Sequence, residues 1–265
     1  MPGSLHRTSL LQRTLVENNP KLHQIGTQQL RSITTSILFQ KTRALAYPID
    51  SYWRRLQDRI PEEVPFNCNE STSGVKWRSE ERPKSVHRLR PGDIDVVGAM
   101  GDSISSGNAA REFRVIGFVI EDRGVSFSGG GLGTWREFTT LPNILKVFNP
   151  KLVGYAVGRG DYLSYNAQLN VATPASIDDD TLFQAKIFVE KMRLHPKVDF
   201  ESDWKLFTIL VGHSDLCSLH CFNETRHSPE AHKYQLQRGL DYLYKNVPRL
   251  FVNVISVFGK TGIRN

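Results

Sequence analysis

The sequence predicts an α/β protein: a doubly wound, flavodoxin-like three-layer α/β/α sandwich on a mostly parallel five-stranded sheet. Three observations predict it. From residue 94 onward, apolar strand-like runs alternate with amphipathic helical stretches. The runs are continuous in apolar character, as strands covered on both faces are. The first ends in Gly101-Asp102-Ser103, followed by small polar residues suited to open a helix, and right-handed crossovers then wind the chain in two directions.

The elements follow in order. Ile94–Met100 reads as a buried strand, Ala109–Ile120 as a helix, and Val125–Phe127 as a short strand-like segment. Gly129–Gly133 is a loop, since it lacks the strand-to-helix context of a dinucleotide fingerprint. Phe138–Phe148 is predicted as a helix and Leu152–Val157 as a strand. Asp178-Asp179-Asp180 places negative charge at the positive end of a helix reaching Leu194, with Leu182, Ala185, Val189 and Met192 as its apolar stripe. Trp204–Val211 is a strand. Pro229–Asn246 is a helix with Leu236, Leu240, Leu243 and Tyr244 on one face, and Phe251–Phe258 is the last strand. A parallel edge strand with no covering helix leaves apolar surface wet, which predicts a fold that lacks its last loop and helix within these 265 residues.

Charge locates the partners. Residues 1–90 hold 15 Lys/Arg against 8 Asp/Glu, whereas residues 91–265 hold 19 of each. The basic excess belongs to the N-terminal part, so the folded part gives no reason to expect nucleic acid. Residues 1–49 are hydroxyl-rich and acid-poor and read as a disordered extension, with a targeting segment as the alternative. Leu10-Leu11 is too short for a secretory h-region, and no run of eighteen apolar residues occurs. Residues 50–85 form an N-terminal segment and Pro-punctuated basic linker, with the domain proper at 86–265.

Ser103 is the candidate nucleophile, because a hydroxyl at the carboxyl end of a strand sits where open α/β sheets place their chemistry. The competing reading is an ordinary Gly-Asp-Ser turn. Cys217-Ser-Leu-His-Cys221 is close enough for a small disulfide loop, with free thiols or a Cys-His-Cys cluster through His220 as alternatives. Cys68 is left over. Asn69-Glu70-Ser71 and Asn223-Glu224-Thr225 fit the N-glycosylation pattern, a weak pointer to an extracellular home.

Several longer segments decide between these readings. They are Val86–Ile94, Gly98–Ser103 with Gly107-Asn108, Arg123–Gly130, Thr140–Pro150, Asp203-Trp204-Lys205, Asp215-Leu216-Cys217 and Val247–Asn253. In this order they resemble the phospholipase B branch of the GDSL/SGNH hydrolases. The resemblance implies ester hydrolysis of phospholipids and lysophospholipids, with Ser103 as nucleophile and no cofactor or metal. It implies peripheral membrane contact and a secreted or cell-surface location. It also implies an oxyanion hole of the Ser103 N–H, a glycine N–H and an asparagine side chain. Here Ala175 stands at the glycine position, and Ser214 replaces the asparagine in Gly212-His213-Ser214-Asp215. Losing one such donor costs about 10²–10³ in rate.

The resemblance places the catalytic base in an Asp-x-x-His motif past the fifth strand, which these residues do not contain. Weak turnover, or binding of lipid or a protein partner without turnover, is therefore expected of this chain. Of the other histidines, His213 adjoins the oxyanion position and is the best substitute base, although its strand is expected to point it elsewhere. His220, His227 and His232 read as surface residues, and His87 belongs to the connector.

Overall fold

The computed structural model describes residues 57–68, 74–112, 115–219 and 223–257. The extension 1–49, the Asn69 sequon, His220, Cys221 and Phe258 lie outside them. The chain runs β1 (Ile94–Gly101), α1 (Ser103–Ser106), α2 (Leu141–Phe148), α3 (Thr181–Arg193), β2 (Trp204–Leu210), α4 (Pro229–Asn246) and β3 (Leu250–Val254), with short 3-10 turns between. The strands form one parallel sheet in the order β1-β2-β3.

Two apolar clusters show the sandwich. On one face, Ile94 and Val97 of β1 and Trp204 and Leu206 of β2 pack with Leu145 of α2. On the other, Val96, Met100, Phe207 and Ile209 meet Phe188 and Met192 of α3 and Leu243 of α4. Phe188 and Phe207 stack with ring centroids 3.8 Å apart. Their closeness depends on Gly98, where a Cβ would lie 2.5 Å from the Phe188 ring. This is the three-layer α/β/α class that the alternation of runs predicts.

Local signals set the helix ends. Ser228 caps α4 by accepting from the Ala231 N–H at 3.2 Å, and Pro229 opens it with a fixed φ and no stranded donor. Thr140 caps α2 through the Asn143 N–H, and Pro142 sits in its first turn. The helix thus begins at Leu141 rather than Phe138.

Elsewhere the structure corrects the sequence reading. Among the described residues, Ala109–Ile120 contains no α-helix. Ala109 is left-handed at φ 56°, its N–H donates to the Ile120 carbonyl, and Asn108 pairs antiparallel with Glu121, so the segment closes as a loop with one 3-10 turn over Val115–Val119. Arg123–Val125 is a 3-10 turn. Leu152–Val157 makes two isolated parallel bridges, Val96 to Val153 and Gly130 to Ala156, because Gly154 between them turns at φ 92°. Three named strands therefore stand among the described residues where five are expected. On α4, Leu243 is buried but Tyr244 is 89% exposed, and Tyr242 packs inward instead.

Candidate active site at the carboxyl ends of β1 and β2

The site starts from Gly101. Its φ is 147°, and a Cβ there would lie 1.9 Å from the Leu210 carbonyl oxygen, so only glycine lets β1 pass β2 this closely. Gln184 of α3 brackets the same residue: its Oε1 accepts the Gly101 N–H at 2.8 Å, and its Nε2 donates to the Gly101 carbonyl at 2.9 Å. The same amide reaches Ser176 Oγ at 2.8 Å, which joins β1 to the Ala175 loop.

Asp102 then caps α1, accepting the Ile104 N–H at 3.0 Å. Ser103 follows as the first helical residue, half-buried at the mouth of the turn. Gly107 ends this single turn in the left-handed region at φ 68°, and a Cβ there would crowd the Asp122 carbonyl at 2.8 Å. The Asn108 N–H returns to the Ser103 carbonyl at 2.9 Å.

Below this turn lies a buried polar frame. Asn170 Nδ2 donates to the Ser105 carbonyl at 2.9 Å, and its Oδ1 accepts from Arg123 Nη1 and the Ala172 N–H. Arg123 is fully buried, with its guanidinium on the Gly160, Asn170 and Ala172 carbonyls and paired to Glu121. Burial pulls the Arg123 pKa down, partly opposed by Glu121. An arginine so enclosed fixes three loops at once, since every donor it loses leaves a buried carbonyl unpaired. Sequence reading singled out neither Asn170 nor Gln184 as supports. Their residue types signal nothing until the loops they join are placed.

The other candidates converge on the same end of the sheet. Ala175 is exposed and left-handed at φ 60°, a conformation native to the glycine expected there. Gly212 turns the chain off β2 at φ 117°, and Ser214 lies half-buried after it. His213 is not turned away: its Nδ1 stands 3.4 Å from Asp102 Oδ2. Among the described residues, no histidine hydrogen-bonds Ser103 Oγ.

His227 and His232 are not free surface residues either. His227 Nδ1 lies 2.9 Å from Asp215 Oδ1, and His232 Nδ1 lies 3.7 Å from Asp178 Oδ2. Asp178, Asp215 and His227 bring one ligand atom each within 4.8 Å of one another. Cys217 is an exposed free thiol, and its expected partner Cys221 is outside the described residues. Asn223 is exposed in a turn.

A cleft of about 540 Å³ opens at the opposite end of the sheet, between Leu152–Tyr155 and Leu194–Lys197, and does not include Ser103. Lys191 lines it, donating to the Tyr162 carbonyl, and burial lowers its pKa to about 7.

Comparison with known proteins now places the chain. Residues 97–264 match the family described as GDSL-like Lipase/Acylhydrolase. The chain belongs to that family. Within it, the chain is similar to "Phospholipase B1, membrane-associated" of three mammals. It is 42% identical to the Mus musculus protein over 188 residues, which is 70% of this chain and 13% of that protein. It is 41% identical to the Homo sapiens protein over 184 residues, 69% and 13% respectively. The Rattus norvegicus protein is 40% identical over 223 residues, 76% and 15%. The chain thus matches between an eighth and a sixth of the length of these relatives. No solved structure matches it.

Proposed function

We propose that this phospholipase B1-like chain carries the nucleophile and oxyanion side of a serine lipid ester hydrolase. The observation that carries the reading is the station of Ser103, in a glycine-enforced turn directly beyond the carboxyl end of β1. Ser103 Oγ attacks the acyl carbonyl, and its proton passes to a histidine base. The tetrahedral oxyanion is held by backbone N–H groups of Ser103 and Ala175, with the Ser214 hydroxyl beside them. Collapse expels the lyso product or glycerol-side alcohol, and water then releases the fatty acid from the acyl-enzyme. Exposed Ile104 in the nucleophile turn, and Phe118 and Val119 in the loop that follows it, suit a lipid surface better than a water-soluble ester. That favours peripheral membrane contact and a secreted or cell-surface setting, as does the membrane-associated naming of the relatives. Among the described residues no helix is long and apolar enough to cross a membrane.

With no histidine among the described residues on Ser103 Oγ, and with Ser214 at the asparagine position, the 265-residue chain is expected to turn over slowly or not at all. The test is hydrolysis of lysophosphatidylcholine by the 265-residue chain and by the chain joined to an Asp-x-x-His segment, each with Ser103→Ala. Activity in the joined chain that disappears with Ser103→Ala supports the reading. Activity that survives Ser103→Ala sinks it. A second reading, lipid binding without turnover, is favoured by Ala175 and Ser214. Vesicle binding by a joined chain that stays inert would select it.

A further inference from the structure

We propose that Asp178, Asp215 and His227, with His232 beside them, bind one divalent transition-metal ion of the zinc class behind the loops that carry Ala175 and Ser214. The binding itself does not depend on the hydrolase reading; only its role as a brace for those two loops does.

The three donors come from separate segments: the 3-10 turn before α3, the π-type turn after β2, and the turn before α4. Asp178 and Asp215 are 2% and 3% exposed. Asp178 Oδ2 is buried and accepts no hydrogen bond, and its nearest basic group, His232 Nδ1 at 3.7 Å, is beyond hydrogen-bond length. A buried carboxylate oxygen left in this way costs free energy that a ligand recovers.

Charge makes the same point. Two carboxylates face each other here, and the Asp178 N–H already donates to Asp215 Oδ2 at 3.0 Å. Among the described residues neither carboxylate is ion-paired to a lysine or arginine, which leaves a shortage of positive charge. Arg226, next to His227 in the same turn, does not meet the shortage, because it pairs with Asp179. Gln235 also holds Asp179, while Asp180 Oδ2 accepts the Ile177 N–H. Two imidazoles remain, and neutral imidazole with carboxylate is a donor set for zinc-class ions, whereas magnesium and calcium prefer oxygen alone.

Size fits after a small contraction. Ligand atoms about 2.0–2.1 Å from a tetrahedral ion stand roughly 3.4 Å apart. The His227–Asp215 pair is already at 2.9 Å, so Asp178 is the residue that closes in. Asp178 lies three residues beyond Ala175, and Asp215 directly follows Ser214. An ion there ties the two oxyanion candidates to one centre without touching substrate.

The test uses the full 265-residue chain, freed of metal by chelator and titrated with Zn²⁺ against a chromophoric competitor, with Co²⁺ as the spectroscopic probe. One Zn²⁺ per chain is expected, with Asp178→Asn and His227→Gln each weakening it at least about 100-fold. Cys217→Ser/Cys221→Ser and Ser103→Ala should bind as the parent does. Cobalt should give d–d bands without thiolate charge transfer. Far-UV circular dichroism identifies the folded variants, and His227→Gln serves if Asp178→Asn does not fold. No uptake by the folded parent overturns the proposal, as does a thiolate band, or binding lost in the cysteine variant and kept in Asp178→Asn. None of these readouts uses turnover, so an inert hydrolase leaves the metal result standing.

Discussion

Gly101→Ala tests the turn on which the site rests. A Cβ at this position would stand 1.9 Å from the Leu210 oxygen and 2.7 Å from Ser105 Oγ, in a backbone at φ 147°. Ordinary contact requires β1 and β2 to part by roughly 1 Å or more, which is overpacking against backbone and costs about 1–3 kcal/mol. Holding alanine in that backbone region adds about 1–3 kcal/mol. The movement also strains two Gln184 bonds to Gly101, at about 1 kcal/mol each. The total is about 4–6 kcal/mol after some relaxation, a large part of the roughly 5–15 kcal/mol that holds a domain folded. Urea unfolding followed by circular dichroism reads it directly. A Gly101→Ala chain within about 1 kcal/mol of the parent would refute the claim that this glycine is required by the close passage of β1 and β2.

Other outcomes follow from the same coordinates. Ala175→Gly should stabilise the chain by up to about 1 kcal/mol, since it relieves a left-handed alanine, and Ala175→Val should destabilise it; thermal melts separate the two. Phe188→Ala, which removes a fully buried ring stacked on Phe207, should cost about 3–5 kcal/mol in urea unfolding. Stability should rise with pH between about 7.5 and 9.5. Burial lowers Lys191 to about 7 and Lys205 to about 8, so in this window the unfolded chain binds protons that the folded chain does not. Lys191→Met should flatten that slope; an unchanged slope would contradict the burial of this amine. Above about pH 11 the trend should reverse, because by then the unfolded lysines have lost most of their protons, while burial raises Tyr162 to about 12 and the unfolded tyrosine is already ionised.

What the sequence made legible follows the reach of each signal. β1 and β2 are continuous apolar runs, and α4 carries its own cap in Ser228 and Pro229, so their places are readable locally. The segment after Asn108 has helix-like apolar spacing, yet the Asn108–Glu121 pairing closes it as a loop. Leu152–Val157 has strand composition but bends at Gly154. Ser103, Ala175 and Ser214 are picked out by motif and converge at one end of the sheet. The partners of His213, His227 and His232 are carboxylates between 12 and 111 residues away, and no local pattern encodes such pairs. Arg123 belongs to a motif-bearing segment, but its burial among three loops becomes visible only when they close around it.

The most direct measurement is covalent. A fluorophosphonate, which traps a serine only when the serine is activated, is reacted with the natural protein that contains this sequence, and the adduct is mapped by peptide mass spectrometry. A single adduct on the peptide bearing Gly101-Asp102-Ser103, lost with Ser103→Ala, is the predicted result. Lipid hydrolysis by this domain with Ser103 unlabelled, or labelling of another of its serines, would contradict the account.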